Sequence, residues 1–565
     1  MPKGSPRPWS YYLIRLLFKF VLKIFYGTIV VEGIENIPVT GQPCVVCANH
    51  TNSLTDALLL VTAIPSRKRN MLRLTAKSTQ FGKRTFTSWL IESAGTIPIK
   101  RRKDFADGNA DNTEVMAKLI EALEHGDAVC MFPEGASRYH PTIAPLKTGV
   151  ARIVSDVLSR NRDNPEFEMS VLTCSITYMN RQHFRSDVLV TFHPPLKFAP
   201  KTSPELLSPV DYTHIRTLTS DLHAQIASGT FDAPSWELIR MARLAAPIYA
   251  PLGTSMGLGD YVRVVRTFLE AFKAEGARPT STSPVRATGD ANGTGNENGR
   301  ISETQGEEAN GSGSRSPADE AQDEEDWATL KEDLKNYLSD LYRLRIKDDR
   351  IRRPLPRPVI FYRMIIRLTW AIFLLSISIP GLILWTPVGA TTYYAVHNFK
   401  KTGPSWDVWD EVAQYKLVYG LLSGLAVWFL TTLLTLPLAP ITFFTTPLLM
   451  WITLRWFEDA VSSFRAFATL SRLLWVGKST LARLRERRRD LYVRIMDLAV
   501  NELGLPADPE AVFVDGDGDG EGGRGRTKGR MKGRGKRQYF SVRRRRKRDW
   551  NETLRLYEQW EYDDI

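Results

Sequence analysis

Cysteine is scarce. Four residues in 565, Cys44, Cys47, Cys130 and Cys174, are scattered along the chain. This excludes a disulfide framework and fits a reducing compartment. Cys44 and Cys47 form a CxxC, but no second pair at zinc spacing follows, and both fall in an apolar, strand-like run. Packing is therefore the reading for these thiols. Acid is missing from residues 524–548, which carry fourteen Lys and Arg. Taking fourteen from the net charge of +13 leaves −1, so the basic character is one tail and not a basic fold. Aliphatic residues are nearly absent from 276–326, which cannot bury enough apolar area to order itself and reads as a disordered low-complexity insert. Two ligand motifs are also missing despite appearances. In "GKST" (477–480) the leading glycine of a P-loop falls on Arg472. In "DGDGDGEGG", from Asp515, the last ligand of a calcium loop falls on Arg526.

Residues 9–30, "WSYYLIRLLFKFVLKIFYGTIV", are long enough to span a membrane. Arg15, Lys19 and Lys23, however, are four apart and stack on one helix face. This predicts an amphipathic helix over 1–27 lying in the membrane surface. Residues 28–275 read as an α/β domain, a mixed sheet covered by helices. Its strand-like runs are "TIVVEG", "PCVVCA", "MLRLTA", "GTIPIK", "DAVCMF", "MSVLTCSITY" and "DVLVTF". Helical patterns cover Thr113–Glu124 and Lys147–Leu158, and 201–275 are mostly helical. After the insert come a charged helix (327–358) and a C-terminal α-helical transmembrane region (359–455). Residues 368–386 are nineteen without charge, and 417–454 are thirty-eight. The second run would be roughly 57 Å as one helix against a ~30 Å hydrocarbon core. With Pro437 and Pro440 at the turn, it fits two spans, or one span and a re-entrant piece. A basic amphipathic helix (456–505) and a disordered Gly-rich, polybasic tail (506–565) complete the chain. The tail suits anionic lipid head groups, and no nucleic acid is expected as a partner. Lys and Arg are plentiful on both sides of the apolar region, so an even number of crossings places both ends in the cytosol.

Three polar clusters stand at strand ends of the α/β domain. In "CANHTNSLTDALLL" (47–60), His50 follows an apolar strand and Asp56 falls on the first turn of the next helix. A carboxylate there can fix the imidazole tautomer and support it as a general base. Asn49, Asn52, Ser53 and Thr55 suit a polar helix start, with Ser53 or Asn52 as N-cap. In "MFPEGASRYHP" (131–141), Glu134, Gly135, Ser137 and Arg138 form a turn after a strand, a cradle for an anion such as phosphate. In "GTIPIKRRKD" (95–104), a strand ends in Lys100, Arg101, Arg102 and Lys103. Together they describe a base and an anion clamp.

"NHTNSLTD", "GTIPIKR" and "FPEGASR" resemble, in order, the first three signature blocks of the glycerolipid acyltransferase superfamily, over roughly residues 30–200. Their form is similar to the fungal-type glycerol-3-phosphate/dihydroxyacetone-phosphate acyltransferases. The resemblance implies that His50 deprotonates the substrate hydroxyl, that Asp56 orients it, and that the oxygen attacks an acyl-CoA thioester directly. Acyl-CoA is then a co-substrate, and no cofactor or metal is implied. Lys100, Arg101, Glu134, Gly135, Ser137 and Arg138 would bind the phosphate of glycerol 3-phosphate or dihydroxyacetone phosphate, assisted by Lys147. The implied setting is the endoplasmic reticulum membrane, multi-pass, with the site facing the cytosol. The chain departs from the commonest pattern in three places. Five residues, not four, separate His50 from Asp56, Arg138 comes one position later, and Thr173 stands where a proline is usual. A lysophosphatidate or other lysophospholipid acyltransferase shares this chemistry, and a non-catalytic membrane scaffold could share the fold.

Overall fold

The computed structural model describes residues 4–78, 81–84, 86–100, 113–181, 183–250, 257–276, 317–352, 355–402, 411–509 and 537–541. The expected strands form as β1 (Thr28–Glu32), β2 (Cys44–Ala48), β3 (Leu72–Arg73), β4 (Thr75–Lys77), β5 (Ile97–Ile99), β6 (Ala128–Met131), β7 (Met169–Tyr178) and β8 (Asp187–Phe192). Two further strands, β9 (Leu196–Phe198) and β10 (Arg537–Ser541), were not apparent from the sequence. The main sheet runs β10-β1-β8-β7-β2-β6-β3, with β9 on β7, while β4 and β5 pair with each other. "MLRLTA" is therefore two short strands instead of one. The tail expected to be disordered over 506–565 contributes β10, which pairs antiparallel with the β1 edge.

The sheet is covered on both faces. Period-2 alternation turns Cys44, Val46 and Ala48 of β2 to one layer, with α1 (Trp9–Phe25) and α2 (Leu54–Ala63). Val45 and Cys47 face the other layer, with α4 (Thr113–Glu124), α5 (Gly149–Arg160) and α6 (Tyr212–Ala227); α3 (Phe86–Ser93) lies against α1. The CxxC thiols are thus buried in different layers, on opposite faces of one strand, and cannot share a ligand. β2, β6 and β3 are mutually parallel, so their carboxyl ends open on one edge. That edge is where open α/β sheets bind ligands.

A helical body adjoins this domain. It comprises α7 (Trp236–Tyr249), α8 (Leu258–Gly276), α9 (Pro317–Leu344) and α10 (Asp348–Arg352), followed by the apolar helices α11 (Arg357–Thr402), α12 (Val412–Leu434) and α13 (Ala439–Trp475), and α14 (Lys478–Asp497). The boundaries differ from those expected. The charged helix breaks between α9 and α10. α13 runs on to Trp475, so the expected basic helix begins only at Lys478. Most of the expected insert, 277–316, lies outside the described residues. Pro440 sits in the first turn of α13, where its missing N–H costs nothing, and a turn forms at Leu436–Leu438.

The helices α11, α12 and α13 are each long and apolar enough to cross a bilayer. Their anchor points lie on the folded body. Ile360 of α11 and Leu470 and Leu473 of α13 share one apolar cluster with α7, α8, α9 and α14. Arg488 locks α14 there by two bonds to Asp348, at 2.8 and 2.9 Å, with both groups about nine-tenths buried. Ala413 and Leu417 at the start of α12 pack in the layer of α1 and α2. Phe399, near the end of α11, stacks on Tyr415 at 4.4 Å. The α12–α13 pair is a hairpin whose tip is exposed, Leu434 at 78%. Cysteines placed at Glu332 in α9 and Lys478 in α14 are therefore expected to react with an impermeant maleimide from the same side of sealed vesicles. Labelling from opposite sides would refute an even number of crossings.

The first helix differs in detail from its expected form. Arg15 is buried and donates to the Ile64 carbonyl at the end of α2, so it is not on the wet face. Trp9, Tyr12, Leu13, Leu16 and Phe20 form the exposed stripe, at helical spacing. Phe20 meets Trp451 of α13 with ring centroids 6.1 Å apart, joining this stripe to the apolar helices.

Candidate active site

The site begins where β2 stops. Asn49 is fully buried and pins the strand end to β7, accepting from the Ile176 N–H at 2.7 Å and donating to its carbonyl at 2.9 Å. The next residue is His50, whose side chain is 19% exposed. Its ring stacks on Phe132 at 4.1 Å. His50 Nδ1 lies 2.9 Å from Asp56 Oδ2. That oxygen also accepts the backbone N–H groups of Thr51 (2.9 Å) and Asn52 (2.8 Å), while Oδ1 accepts the Tyr178 hydroxyl at 2.5 Å. An ionised carboxylate can only accept, so Nδ1 carries the proton in neutral His50. The lone pair is left on Nε2, the nitrogen that can act as a base. Burial and the neighbouring Asp56 push the Tyr178 phenol well above its ordinary pKa, so it stays a donor.

The turn into α2 is unusual. Thr55 N–H bonds to the Asn52 carbonyl at 3.0 Å, closing a four-residue turn, and Ser53 takes φ 46° and ψ −132°. These are close to the first central position of a type II′ turn, which favours glycine. A side chain held there costs of order 1–3 kcal/mol. Neither Ser53 nor Asn52 caps the helix by its side chain, contrary to expectation. Asp56 takes the two free amides before the helix instead, and the Ser53 hydroxyl donates to Gln414 of α12 at 3.0 Å.

The second cluster closes over the first. The Glu134 carboxylate is buried and spans two loops, accepting His50 N–H at 2.5 Å and Ala144 N–H at 3.2 Å. Both oxygens face backbone amides and not an open anion site, so Glu134 braces the loops. Arg138 is exposed, and its N–H donates to the His50 carbonyl at 3.2 Å. Ser137 is half-buried on the same turn. Gly135 has φ +77°, and a Cβ there would lie 2.3 Å from Lys147 Nζ. The absent side chain is what lets the Lys147 ammonium lie across the turn. β5 runs parallel to β4, which continues β3, so exposed Lys100 leaves the sheet at the same edge. Arg101, Arg102 and Lys103 lie outside the described residues.

Burial raises the Glu134 pKa from 4.5 to about 6. The folded state then binds more protons than the unfolded chain between those values, so this group's stabilisation is present below about pH 4.5 and is lost as pH rises through 6. The change is about 2 kcal/mol. Glu134→Gln keeps one of the two amide bonds and cannot titrate. Its melting temperature is expected to lack the decline that wild type shows over this interval, which melts recorded at half-unit pH steps would reveal.

Several contributors were not visible in the sequence. Tyr178 ends an apolar strand, and nothing in "SITY" marks its hydroxyl as a partner for Asp56. Arg185, on the loop after β7, turns away from this site. It bonds to the carbonyls of Lys23, Ile24 and Tyr26 and pairs with Glu458 of α13 at 2.7 Å. Arg181 instead lines a cleft beside the site, together with Thr51, Tyr178, His140 and Trp236. Its guanidinium lies 5.3 Å from the ring centroids of both Tyr139 and Trp236.

Residues 28–177 match the Acyltransferase family model. The chain is 21% identical to an uncharacterized acyltransferase of Schizosaccharomyces pombe, over 71% of this chain and 55% of that protein. It is 22% identical to glycerol-3-phosphate O-acyltransferase 2 of Saccharomyces cerevisiae, over 46% of this chain and 48% of the relative. It is 24% identical to a chloroplastic 1-acyl-sn-glycerol-3-phosphate acyltransferase of Brassica napus, over 26% and 40%. The chain spans about half the length of the first two relatives.

Proposed function

Because residues 28–177 carry an acyltransferase-family domain, we propose that this chain moves a fatty acyl group from acyl-CoA to the sn-1 hydroxyl of glycerol 3-phosphate or dihydroxyacetone phosphate. The observation that carries this reading is the His50–Asp56 pair, with the tautomer fixed and Nε2 left as the base. In the proposed step, Nε2 takes the hydroxyl proton as the oxygen attacks the thioester carbonyl. The carbon–sulfur bond then breaks, and the imidazolium returns the proton to the CoA thiolate. Asp56 supports the positive charge on the ring in between. No acyl-enzyme forms. Lys147, Arg138, Lys100 and Arg101 supply cations for the acceptor phosphate and for CoA, while Glu134 holds the loops that present them.

The apolar stripe of α1 and the three apolar helices favour work at a bilayer, where acyl-CoA and the lipid product both partition. We assign the chain to the endoplasmic reticulum membrane with its site in the cytosol, the setting that the resemblance of its signature blocks implies. The polybasic residues of the tail, mostly outside the described residues, would hold it to anionic head groups. A second reading, a lysophosphatidate acyltransferase, is favoured by the likeness to the Brassica relative. One assay separates them: transfer from labelled acyl-CoA, in membranes, to glycerol 3-phosphate, dihydroxyacetone phosphate and lysophosphatidate side by side. Labelled product from either of the first two supports the leading reading. Transfer to lysophosphatidate alone selects the second. If folded protein acylates none of them, the scaffold reading replaces both.

A further inference from the structure

Gln414 lies 358 residues beyond Asp56, at the start of an apolar helix, yet it reaches the catalytic turn. Its Oε1 accepts the Ser53 hydroxyl at 3.0 Å and faces the Leu54 N–H at 3.4 Å. Ser53 is the residue at positive φ between His50 and Asp56. A serine left to itself leaves that region for ordinary backbone angles. Doing so would turn the peptide after Asn52 and swing Asp56 away from the Thr51 and Asn52 amides and from His50. The α12 start is itself fixed, since Ala413 and Leu417 are buried against α1 and α2. Gln414 is half-buried between them, with its amide directed at the turn.

We infer that Gln414 is a positioning residue for the base: through Ser53 it holds the strained turn that aims Asp56 at His50, so the apolar helical region completes the active site. This rests on the reading of His50 and Asp56 as the catalytic pair. It also makes seating of α12 a requirement for activity, which ties catalysis to correct assembly of the apolar helices.

The test is a double-mutant cycle in the full chain, in membranes. Glycine adopts positive φ without help, so Ser53→Gly should make Gln414 dispensable. Gln414→Ala alone is expected to lower kcat about tenfold with the KM for acyl-CoA unchanged, because the base is misaimed and not removed. In the Ser53→Gly background the same change should cost less than twofold. Hydrogen exchange provides a readout independent of activity: the Thr51 and Asn52 amides should exchange faster in Gln414→Ala and return towards wild type in the double variant. Equal losses in both backgrounds, or unchanged exchange, would overturn the inference. If exchange responds as expected but wild type acylates no acceptor, the clamp stands and the assignment of its purpose falls.

Discussion

His50→Ala is expected to lower acyl transfer by about 10²–10⁴-fold, the range typical of a lost general base, while leaving the fold in place. The reason is how little else this side chain does. Its ring stacks on Phe132 and meets Asp56, but the bonds that hold the loops belong to its backbone: N–H to Glu134 and carbonyl from Arg138. Alanine keeps both. Asp56 keeps three donors, from Thr51, Asn52 and Tyr178. Initial rates with labelled acyl-CoA, set beside a thermal melt within a degree or two of wild type, make the comparison. Undiminished turnover in a well-folded variant would remove His50 from the chemistry.

Asp56→Ala should cost more than activity. The carboxylate is fully buried and gathers four donors from two segments of chain. Removing it strands Thr51 N–H, Asn52 N–H and the Tyr178 hydroxyl, at about 1–3 kcal/mol for each buried donor left unmet. The protein should therefore melt well below wild type as well as losing transfer. Asp56→Asn separates the two effects. Its carbonyl oxygen can keep the two amides, and its NH₂ can face Tyr178, whose hydroxyl can turn to accept. What it cannot supply is the negative charge beside the imidazolium. The Asn variant should melt near wild type and still lose on the order of 10²-fold in rate. Near-normal rates with a normal melt would make Asp56 a structural cap only. Measuring both variants by melt and by rate decides between these outcomes.

What the sequence determined by itself is what depends on neighbours along the chain. Alternation and apolar runs marked the main strands, and the 3.6-residue period placed α4 at the expected residues. The strand–turn–helix grammar put His50 and Asp56 at a sheet edge, six positions apart. Uncharged runs located the apolar helices. The count of crossings did not follow from length, because three helices can each span a bilayer while their anchor points lie on one folded body. Only the tertiary structure decided which way the polar groups point. Glu134 looked like part of an anion cradle and instead braces two backbone amides. Arg15 looked like a wet face and points inward, and Arg185 grips the end of α1. Tyr178 and Gln414 meet the turn from 122 and 361 positions away. Such contacts leave no periodic trace, because a buried hydrogen bond is set by where two elements pack, and packing brings together residues whose spacing in sequence is arbitrary.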